Sequence, residues 1–288
     1  MLEKLLFIKR WIGNTKIYPI LGEDKTFAKI EGFNFSGSIK ARAVWEILYR
    51  KISAGIITKN TTICECSSGN TAIALLKIAS RIGLRVKIFM PNYLYEVKKE
   101  RFAPYSPLIE RTPDEEGMTG AMMRMEKICK LPAFVPLEQF TSPFNPLAQR
   151  EVGREILKEL PSIDYLICGV GTGGTLTGAG GYLKEVAGVR IVAIEPYASP
   201  FLSKGIHRAH GLYGLGAGFP PPLLDSSIID EIFPVKEEES DEMREEFFSR
   251  YRLSLGRSSG AGIYACKMLS LGGWYKNKVG VVICPDFT

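Results

Sequence analysis

Lys40 directly follows a run of small residues, a position that can change the reactivity of its amine. Residues 32–42 read Gly-Phe-Asn-Phe-Ser-Gly-Ser-Ile-Lys-Ala-Arg, and a helical pattern begins at Ala41 and continues to Tyr49. The N-terminal end of a helix carries positive potential, so an amine there loses proton affinity. Because a neutral amine adds to aldehydes, Lys40 is a candidate for covalent chemistry. The alternative is an ordinary surface lysine in a first helical turn.

A glycine-rich loop at residues 169–175 is the second feature that could do chemistry. It reads Gly-Val-Gly-Thr-Gly-Gly-Thr, follows one predicted strand and opens one predicted helix. Backbone N–H groups in such a loop close around an anion, and the helix dipole favours negative charge, so the loop predicts a phosphate site. Gly169, Gly171 and Gly174, followed by Glu195 at the end of the next predicted strand, also fit a dinucleotide fingerprint. The spacing alone leaves these two classes of cofactor open.

Three further loops consist mainly of small residues. Residues 66–71 read Cys-Ser-Ser-Gly-Asn-Thr, whose hydroxyl, amide and backbone N–H groups suit a carboxylate. An ordinary helix cap at Ser68 or Asn70 would use the same residues. The other two loops are 214–219, Gly-Leu-Gly-Ala-Gly-Phe, and 256–262, Gly-Arg-Ser-Ser-Gly-Ala-Gly. Together with a reactive lysine, these loops predict a ligand that has a phosphate, a carboxylate and a carbonyl group.

The composition excludes several classes of protein. The chain has 288 residues, 45% of them hydrophobic, and a net charge of +6 without a basic run, so nucleic acid is not specifically indicated. No apolar run reaches the length of a membrane span, and residues 1–11 alternate charged and hydrophobic side chains, unlike a signal peptide. The six cysteines form no C-x-x-C pair, which is typical of reduced, buried thiols. We therefore expect a cytoplasmic protein.

The histidine content bears on metal and triad chemistry. The two histidines, His207 and His210, lie in a glycine-rich segment without acidic residues nearby in the sequence. Gly205 and Gly211 argue against a helix that would present both rings on one face. We therefore predict neither a metal site nor a Ser-His-Asp triad.

Predicted strands and helices alternate along most of the chain. Strands are predicted over 27–31, 62–66, 85–90, 108–111, 133–136, 165–169 and 190–195, and helices over 71–82, 93–102, 118–129, 147–160 and 175–186. This alternation predicts an α/β fold with open, twisted, mostly parallel sheets flanked by helices, and ligands beyond the carboxyl ends of the strands. Residues 196–224 form a long predicted loop. Ser240 is the predicted N-cap of a helix that buries Phe247 and Phe248.

Five short motifs occur in the order found in cysteine synthases. They are Ser-Gly-Ser-Ile-Lys-Ala-Arg, Ser-Ser-Gly-Asn-Thr, Gly-Thr-Gly-Gly-Thr, Gly-Leu-Gly-Ala-Gly-Phe and Ser-Ser-Gly-Ala. From about Trp11 to Asp286 the chain resembles the family of cysteine synthase (O-acetylserine sulfhydrylase) and cystathionine β-synthase, pyridoxal-phosphate enzymes of the tryptophan synthase β type. The resemblance implies a two-domain, fold-type II enzyme, and a homodimer. It implies a smaller mobile domain over 35–145 that carries the substrate loop, and a larger domain over 1–34 and 146–288 that binds the cofactor phosphate.

The resemblance also implies a role for each matching residue, with pyridoxal 5′-phosphate as the cofactor. Lys40 would hold the cofactor as a Schiff base and would move the Cα proton. Asn70 would bond the ring hydroxyl. Ser258 would face the pyridine nitrogen, which a serine cannot keep protonated, and this suits β-elimination. The cofactor phosphate would be bound by Gly171, Thr172, Gly173, Gly174 and Thr175. The substrate would be bound by Ser67, Ser68, Gly69, Thr71, Gln139 and Gly214.

The implied reaction is β-replacement on an O-activated L-serine, in the first place cysteine synthesis from O-acetylserine and sulfide. An enzyme that uses O-phosphoserine, or another nucleophile as in cystathionine or diaminopropionate synthesis, stays open. Two alternatives belong to other classes. One is a Rossmann nucleotide-binding protein, supported by the glycines of residues 169–174 and by Glu195. The other is a catalytically weak regulatory relative.

The chain departs from the family pattern at several positions. Ala41 stands where aspartate usually follows the lysine, Ser142 where asparagine is usual, and Arg257 where an aliphatic residue is usual. Residues 100–108 lack the usual Tyr-Gly-Ala turn, and residues 285–288 are not followed by the customary Gly-Glu-Arg-Tyr. From the missing C-terminal motif we expect a less tightly closed large domain, and whether it and Ala41 reduce activity stays open.

The choice of activated serine is predicted from the charge of two loops. A phosphate dianion requires a cation or several donors nearby. Because loops 67–71 and 214–219 carry no basic residue, we expect O-acetylserine to be used more efficiently than O-phosphoserine. Arg257 is the one cation beside a cofactor motif, and we expect it to face solvent or to have a structural role.

Overall fold

The fold is built on two β-sheets. A computed structural model describes residues 1–20 and 25–288. In chain order its strands are β1 (Ile17–Pro19), β2 (Thr26–Ile30), β3 (Thr62–Cys66), β4 (Arg85–Pro91), β5 (Ile109–Thr112), β6 (Phe134–Pro136), β7 (Tyr165–Gly169), β8 (Arg190–Pro196), β9 (Glu231–Val235) and β10 (Gly280–Cys284). One sheet has the order β1-β2-β10-β7-β8-β9 and the other the order β5-β4-β3-β6. Every pairing in them is parallel except that of β1 with β2.

Helices connect and cover these strands. In chain order they are α1 (Leu2–Ile8), α2 (Lys40–Ser53), α3 (Asn70–Ile82), α4 (Asn92–Val97), α5 (Lys99–Phe102), α6 (Gly117–Ile128), α7 (Phe144–Glu159), α8 (Gly181–Ala187), α9 (Phe201–Lys204), α10 (Glu237–Tyr251) and α11 (Arg257–Ser270). A π-helical segment, Leu176–Gly180, precedes α8 and follows the glycine-rich loop. Such π turns are frequent at functional sites.

Each sheet has its own hydrophobic core. The core beside the four-stranded sheet contains side chains from α2, α3 and β4, such as Leu48, Leu75 and Ile88. The six-stranded sheet has a core on each face, because successive side chains of a strand point to opposite faces. In β7, Ile167 belongs to one core and Leu166 to the other. The predicted α/β class with mostly parallel sheets is therefore confirmed.

The N-terminal helix packs beside the smaller sheet. Leu5 and Ile8 of α1 belong to the same core as α2 and α3. The Trp45 indole N–H on α2 donates a 2.7 Å hydrogen bond to the carbonyl of Leu5. The division at residues 35 and 145 stays a prediction. It assigns α1 to the larger domain, whereas α1 packs against the core beside the smaller, four-stranded sheet.

The predicted N-cap at Ser240 is wrong. Helix α10 begins at Glu237, three residues earlier, and the Lys236 N–H donates a 2.7 Å hydrogen bond to Glu239, as in a capping box. Ser240 lies inside the helix and donates to the carbonyl of Arg257. Phe247 is buried as predicted, whereas Phe248 is 45% exposed, because adjacent residues of a helix point in directions about 100° apart.

Two other segments differ from the predictions. The helix predicted over 93–102 is divided into α4 and α5, and Lys98 between them has φ −115° and ψ 23°, outside the helical region. The loop predicted over 196–224 contains α9. Strands β1, β9 and β10 were not among the predicted elements. Burial does not alternate along β1 and β9, and every residue of β10 is buried.

The cysteines of the protein are free thiols. Five cysteines are buried, Cys129 is partly buried, and no disulfide joins cysteines within the described residues. Over residues 1–20 and 25–288 no helix is both long and apolar enough to cross a bilayer. The same residues contain no group of three or more His, Cys, Asp or Glu side chains arranged for a metal ion.

Candidate active site

A cavity of about 600 Å³ lies beyond the carboxyl ends of strands from both sheets. Its lining includes Ser67 after β3, Gly171 after β7 and Pro285 after β10, the edge at which ligands bind in parallel α/β sheets. The predicted site residues that line it are Lys40, Ser67, Ser68, Gly69, Asn70, Thr71, Gln139, Gly171, Thr172, Gly173, Thr175, Gly214 and Ser258. Gly174 alone lies behind the lining, where a Cβ atom would be 2.3 Å from Oδ1 of Asn145. The structure thus brings the predicted set together.

Lys40 is the first residue of α2, and its side chain enters this cavity. Burial lowers the pKa of the Lys40 amine, and the nearby Asp286 and Cys168 oppose that shift. A lysine with a lowered pKa is neutral in a larger fraction of molecules and is a better nucleophile toward a carbonyl. The environment of Lys40 therefore differs from that of a surface lysine.

Arg42 fixes the first turn of the helix that carries Lys40. Its fully buried guanidinium donates to Glu31 at 2.6 Å and to Glu155 on α7 at 2.7 Å. Although burial alone would raise it, the hydrogen bonds and charge of Arg42 lower the pKa of Glu155 to about 2. Lys29 on β2 adds a second ion pair to Glu155 at 2.9 Å. The N-terminal turn of α2 is thereby tied to β2 and α7, which limits the positions that Lys40 can take.

The glycine-rich loop has a shape that only glycine permits at two positions. A Cβ atom on Gly171 would lie 2.6 Å from the carbonyl oxygen of Gly214. Gly173 has φ +82°, and a Cβ atom there would lie 2.7 Å from backbone atoms of Leu224. The Thr172 hydroxyl oxygen accepts from the Gly174 N–H at 3.3 Å. The loop therefore keeps a compact turn at the start of a helical segment, as an anion site requires.

A chain of buried hydrogen bonds orients the loop after β3. The Thr71 hydroxyl donates to Oε1 of Gln139 at 2.6 Å, and Nε2 of Gln139 donates to Glu65 at 2.8 Å. Glu65 is the penultimate residue of β3, and burial raises its pKa to about 7. Because Glu65 accepts from the amide nitrogen, the amide oxygen of Gln139 faces Thr71. The predicted substrate residues Thr71 and Gln139 are therefore held in one orientation by a carboxylate that the sequence analysis did not identify.

Asn70 connects the two sides of the cavity. Its Nδ2 donates to Oδ2 of Asp286 at 2.6 Å, and its Oδ1 accepts from Arg101 at 2.6 Å. The other carboxylate oxygen of Asp286 is buried and has no hydrogen-bond partner in the described structure. Burial raises the pKa of Asp286, and the hydrogen bond from Asn70 partly offsets this shift. Asp286 and Arg101 are therefore further polar groups of this cavity.

Ser258 lies in the first turn of α11, and Gly256 is the N-cap of that helix. The side chain of Ser258 is buried, and its Oγ would be 3.8 Å from a Cβ atom on Gly214. The neighbouring Arg257 donates to Asp241 at 2.9 Å and pairs with Glu237 at 3.5 Å. These contacts agree with a structural role for Arg257.

Glu195 occupies a different environment from the one that the dinucleotide alternative requires. It is 2% exposed, and its Oε2 accepts from the backbone N–H of Leu202 at 2.7 Å and of Ser203 at 3.3 Å. Its other oxygen accepts from the Ser203 hydroxyl. The carboxylate therefore binds the first residues of α9, and a ribose hydroxyl would have to displace these donors.

The family of the chain follows from a family model described as pyridoxal-phosphate dependent enzyme, which matches residues 8–286. The chain belongs to this family. It is 36% identical to cysteine synthase B of Campylobacter jejuni over 91% of this chain and 89% of that protein. It is also 36% identical to a cysteine synthase of Staphylococcus aureus over 90% of this chain and 85% of that protein.

Solved structures of pyridoxal-phosphate enzymes have the same fold. O-acetylserine sulfhydrylase isoform 3 of Entamoeba histolytica superimposes with a TM-score of 0.91 at 30% identity, covering 97% of this chain and 88% of that one. A hydrogen sulfide-producing enzyme of Fusobacterium nucleatum gives a TM-score of 0.88 at 31% identity, covering 97% of both chains. The predicted fold-type II architecture is therefore confirmed.

The residues of the cavity fit pyridoxal phosphate, the cofactor of the family. The cofactor needs an amine for its aldehyde and an anion site for its phosphate. The desolvated Lys40 and the compact glycine-rich loop line the same cavity. The ring lies between these two ends in any such complex, and Asn70 and Ser258 border the space available to it.

Three residues that line the cavity, and Glu65 behind its lining, were not identified from the sequence as functional. Glu65 lies in an apolar strand, Lys98 and Arg101 lie in a charged segment predicted as one helix, and Asp286 follows the last strand. Glu65 offered one signal, since a carboxylate inside a strand with cysteines on both sides must be paired or protonated if it is buried. The placement of Lys98 and Arg101 depends on the break between α4 and α5, for which the sequence pattern gives no signal.

Proposed function

We propose that this enzyme makes cysteine from O-acetylserine and sulfide by β-replacement. The observation that carries the proposal is the meeting of three groups in one cavity: the Lys40 amine, the phosphate-type loop after β7 and the carboxylate-type loop after β3. Both relatives named cysteine synthase that are compared above align over nine-tenths of this chain. An activated serine that took the place of Lys40 on the cofactor would have its carboxylate near the second loop.

One set of residues would bind the cofactor, and one of them would also transfer a proton. When bound, pyridoxal phosphate withdraws electrons from the Cα atom of an attached amino acid. Lys40 holds the cofactor covalently and, once released, moves the Cα proton. Asn70 binds the ring hydroxyl, and Ser258 faces the ring nitrogen without protonating it. The cofactor phosphate is held by Gly171, Thr172, Gly173, Gly174 and Thr175.

The substrate is positioned by the loop after β3 and by the residues opposite to it. Ser67, Ser68, Gly69 and Thr71 offer hydroxyl and N–H donors to the carboxylate, and Gln139 stands beside them. Gly214 borders the same space without a side chain, which leaves room for the leaving group. The hydrogen bonds from Glu65 through Gln139 to Thr71 keep these donors aimed at the substrate. Closure of a smaller mobile domain over 35–145 would complete the alignment.

We also propose that the enzyme acts in the cytoplasm as a homodimer. Thiols without disulfides are typical of a reducing compartment. Phe7 and Trp11 pack edge to face with ring centroids 5.0 Å apart and are 54% and 49% exposed. An apolar pair at the surface suits contact with a second copy. Light scattering of the purified protein should give twice the mass of the chain, and a monomer would contradict the homodimer.

An activity assay tests the reaction. Purified protein loaded with pyridoxal phosphate should convert O-acetylserine and sulfide to cysteine, while unactivated L-serine should react far more slowly, because hydroxide is a poor leaving group. Failure to form a β-replacement product from any O-activated serine would contradict the proposal. That result would favour the catalytically weak regulatory relative.

A further inference from the structure

Two cations of the cavity, Lys98 and Arg101, form no direct ion pair with a carboxylate of the described residues. Five cationic side chains line the cavity, namely Lys40, Lys98, Arg101, Arg244 and Arg257. Arg244 and Arg257 both pair with Asp241, at 2.8 Å and 2.9 Å. Over residues 1–20 and 25–288 no carboxylate lies within 4 Å of Lys98 or Arg101, and Asp286, which Asn70 joins to Arg101, is the carboxylate whose burial-raised pKa the charge of Arg101 lowers. Lys40 also forms no ion pair, but it is the residue proposed to hold the cofactor.

The break between α4 and α5 directs Lys98 toward the cavity. Its Nζ donates to the carbonyl of Ser68 at 2.8 Å and lies 5.8 Å from the ring centre of Tyr213 on the opposite side. The neighbouring Lys99 is different, because it is largely exposed, pairs with Glu96 and does not line the cavity. Lys98 is thus held between the substrate loop and the segment that faces it.

Arg101 lies near Lys98 and adds a second positive charge. It donates to Oδ1 of Asn70 at 2.6 Å, two residues along the substrate loop from the carbonyl that Lys98 binds. Burial lowers the pKa of Lys98, and the charge of Arg101 lowers it further. Lys98 is partly desolvated whereas Arg101 is exposed, and a partly desolvated cation beside a like charge is unfavourable unless an anion joins them.

The α-carboxylate of an amino-acid substrate already has donors of its own. Ser67 and Ser68 provide hydroxyl groups, and the loop that carries them leads into α3, whose N-terminal end favours negative charge. Lys98 lies between α4 and α5, and Arg101 lies on α5, so both are outside this loop. The geometry therefore offers room for an anion in addition to the α-carboxylate.

We propose that Lys98 and Arg101 form a subsite for a second anionic group on a substrate of the β-replacement reaction. This inference rests on the proposed function. The group is either the phosphate of O-phosphoserine or the carboxylate of a thiol amino acid that replaces sulfide.

With O-phosphoserine, the Cβ–O bond breaks, inorganic phosphate leaves with the electron pair, HS⁻ forms the Cβ–S bond, and the proton taken from Cα returns there. With a thiol amino acid, acetate leaves O-acetylserine and the thiolate sulfur forms the new bond.

The subsite bears on the expected preference for O-acetylserine. That expectation used the lack of basic residues in loops 67–71 and 214–219, and both loops do lack them. The cations come instead from residues 98–101, which the sequence analysis placed in one predicted helix. The lack of basic residues in these two loops therefore holds but does not describe the whole cavity, and the preference for O-acetylserine stays a prediction to be measured.

The experiment compares substrates that do and do not carry the second anion. Holoenzyme is assayed with O-acetylserine and sulfide, with O-phosphoserine and sulfide, and with O-acetylserine and L-homocysteine. The variant is Lys98→Met, the matched control is Lys99→Met, and Lys98→Arg tests rescue by charge. The quantity compared is the kcat/KM of an anionic substrate divided by the kcat/KM for O-acetylserine and sulfide. For the anionic substrate that the subsite binds, this ratio should fall about 10- to 100-fold in Lys98→Met, the range of a lost charged hydrogen bond. Lys98→Arg should recover most of the ratio, and Lys99→Met should leave it unchanged.

Inhibition by inorganic phosphate gives an independent measurement. In the holoenzyme the glycine-rich loop is filled by the cofactor, so added phosphate competes only for other anion sites. It should compete with the amino-acid substrate in the wild type and bind about tenfold more weakly in Lys98→Met. Among the assays, a selective loss with O-phosphoserine identifies the leaving group as the anion, and a selective loss with L-homocysteine identifies the nucleophile.

The outcomes that overturn the subsite are distinct from those that overturn the proposed function. An equal loss with all three pairs in Lys98→Met would show that the cation binds only the shared α-carboxylate. Unchanged kcat/KM values with all three pairs in Lys98→Met would show that the cation binds no substrate group. Either result overturns the subsite while cysteine synthesis in the wild type stands. Absence of product from every pair in the wild type overturns the proposed function and the subsite together.

Discussion

The two sides of the cavity are built by different means. The side that follows β7 and β10 depends on backbone shape: Gly171 and Gly173 allow backbone segments to approach within distances that a Cβ atom would prevent. The side that follows β3 depends on side chains, which Glu65, Gln139 and Arg101 orient through hydrogen bonds. The first side would hold one cofactor. The second would discriminate among substrates.

This difference determines how well each side of the cavity tolerates amino-acid substitutions. A backbone cradle tolerates almost no substitution, because each added carbon meets main-chain atoms that cannot move. A hydrogen-bonded set of side chains can be altered one residue at a time, and each alteration shifts charge or orientation by a limited amount. We therefore expect substitutions on the cofactor side to abolish function and substitutions on the substrate side to redirect or tune it.

The largest effect is expected for Lys40→Ala. The variant should lose covalent attachment of the cofactor and at least about 1000-fold in kcat/KM, because it loses both the attachment point and the group that moves the Cα proton. Borohydride reduction of the wild type followed by peptide mapping should place the cofactor on Lys40. Lys98 lines the same cavity and serves as the internal control. A label on Lys98 would contradict the assignment.

The claim that the cofactor side depends on backbone shape is tested by Gly173→Ala. The added methyl group would lie 2.7 Å from the backbone of Leu224 at φ +82°, so the loop must open. We expect pyridoxal phosphate to bind about 100-fold more weakly, which corresponds to roughly 3 kcal/mol of strain and misfit. The affinity is measured by titrating the protein without cofactor and following the absorbance of the cofactor.

Gly188→Ala is the matched control for that prediction. Gly188 at the end of α8 has φ +65° but nothing within 4 Å of its Cβ position. It should therefore lose about 1 kcal/mol of stability from backbone strain without a change in cofactor affinity. Equal effects of the two substitutions on cofactor affinity would show that the close approach to Leu224 is unimportant.

The same contrast explains what could be predicted from the sequence. Glycines, strand patterns and the lysine are local signals, so the parallel α/β fold, Lys40 and the loop at 171–175 could be predicted from the residues. Glu65 and Lys98 act through partners 74 and 30 residues away. Side-chain orientation at that sequence distance depends on tertiary packing, which motif spacing does not describe. The prediction of Ser240 as N-cap failed for a local reason, because a capping box that begins at Lys236, four residues upstream, starts the helix instead.

On the substrate side, Glu65→Gln should change how stability depends on pH. Burial raises the pKa of Glu65 to about 7 from 4.5, so the folded state binds the proton more tightly than the unfolded state. The stabilisation is complete below about pH 4.5 and is lost as the pH rises through about 7. The loss is at most about 3 kcal/mol, since each pKa unit is worth about 1.4 kcal/mol. Glutamine keeps an acceptor for Gln139 without the charge and should remove this slope.

Urea unfolding of both proteins at pH 5 and at pH 8 provides the measurement. The free energy of unfolding of the wild type should fall relative to that of Glu65→Gln between these two pH values. Parallel changes in the two proteins would mean that Glu65 titrates normally and does not control the orientation of Gln139 through its protonation.

The smallest effect on activity is expected for Ser258→Asp. This substitution lies on the cofactor side of the cavity and adds a charge without altering the backbone. Ser258 is buried in the first turn of α11, where a carboxylate is tolerated by the helix dipole. A carboxylate facing the ring nitrogen would keep that nitrogen protonated and make the cofactor a stronger electron acceptor. Because β-elimination needs a good leaving group more than a stabilised carbanion, we expect kcat to fall about tenfold, with an altered absorbance of the cofactor during turnover.

Ser258→Ala is the control, and it should leave the spectrum unchanged, since it removes the hydroxyl without adding charge. If Ser258→Asp gives the rates and spectra of Ser258→Ala, Ser258 does not face the ring, and the nitrogen must be bordered by another part of the cavity.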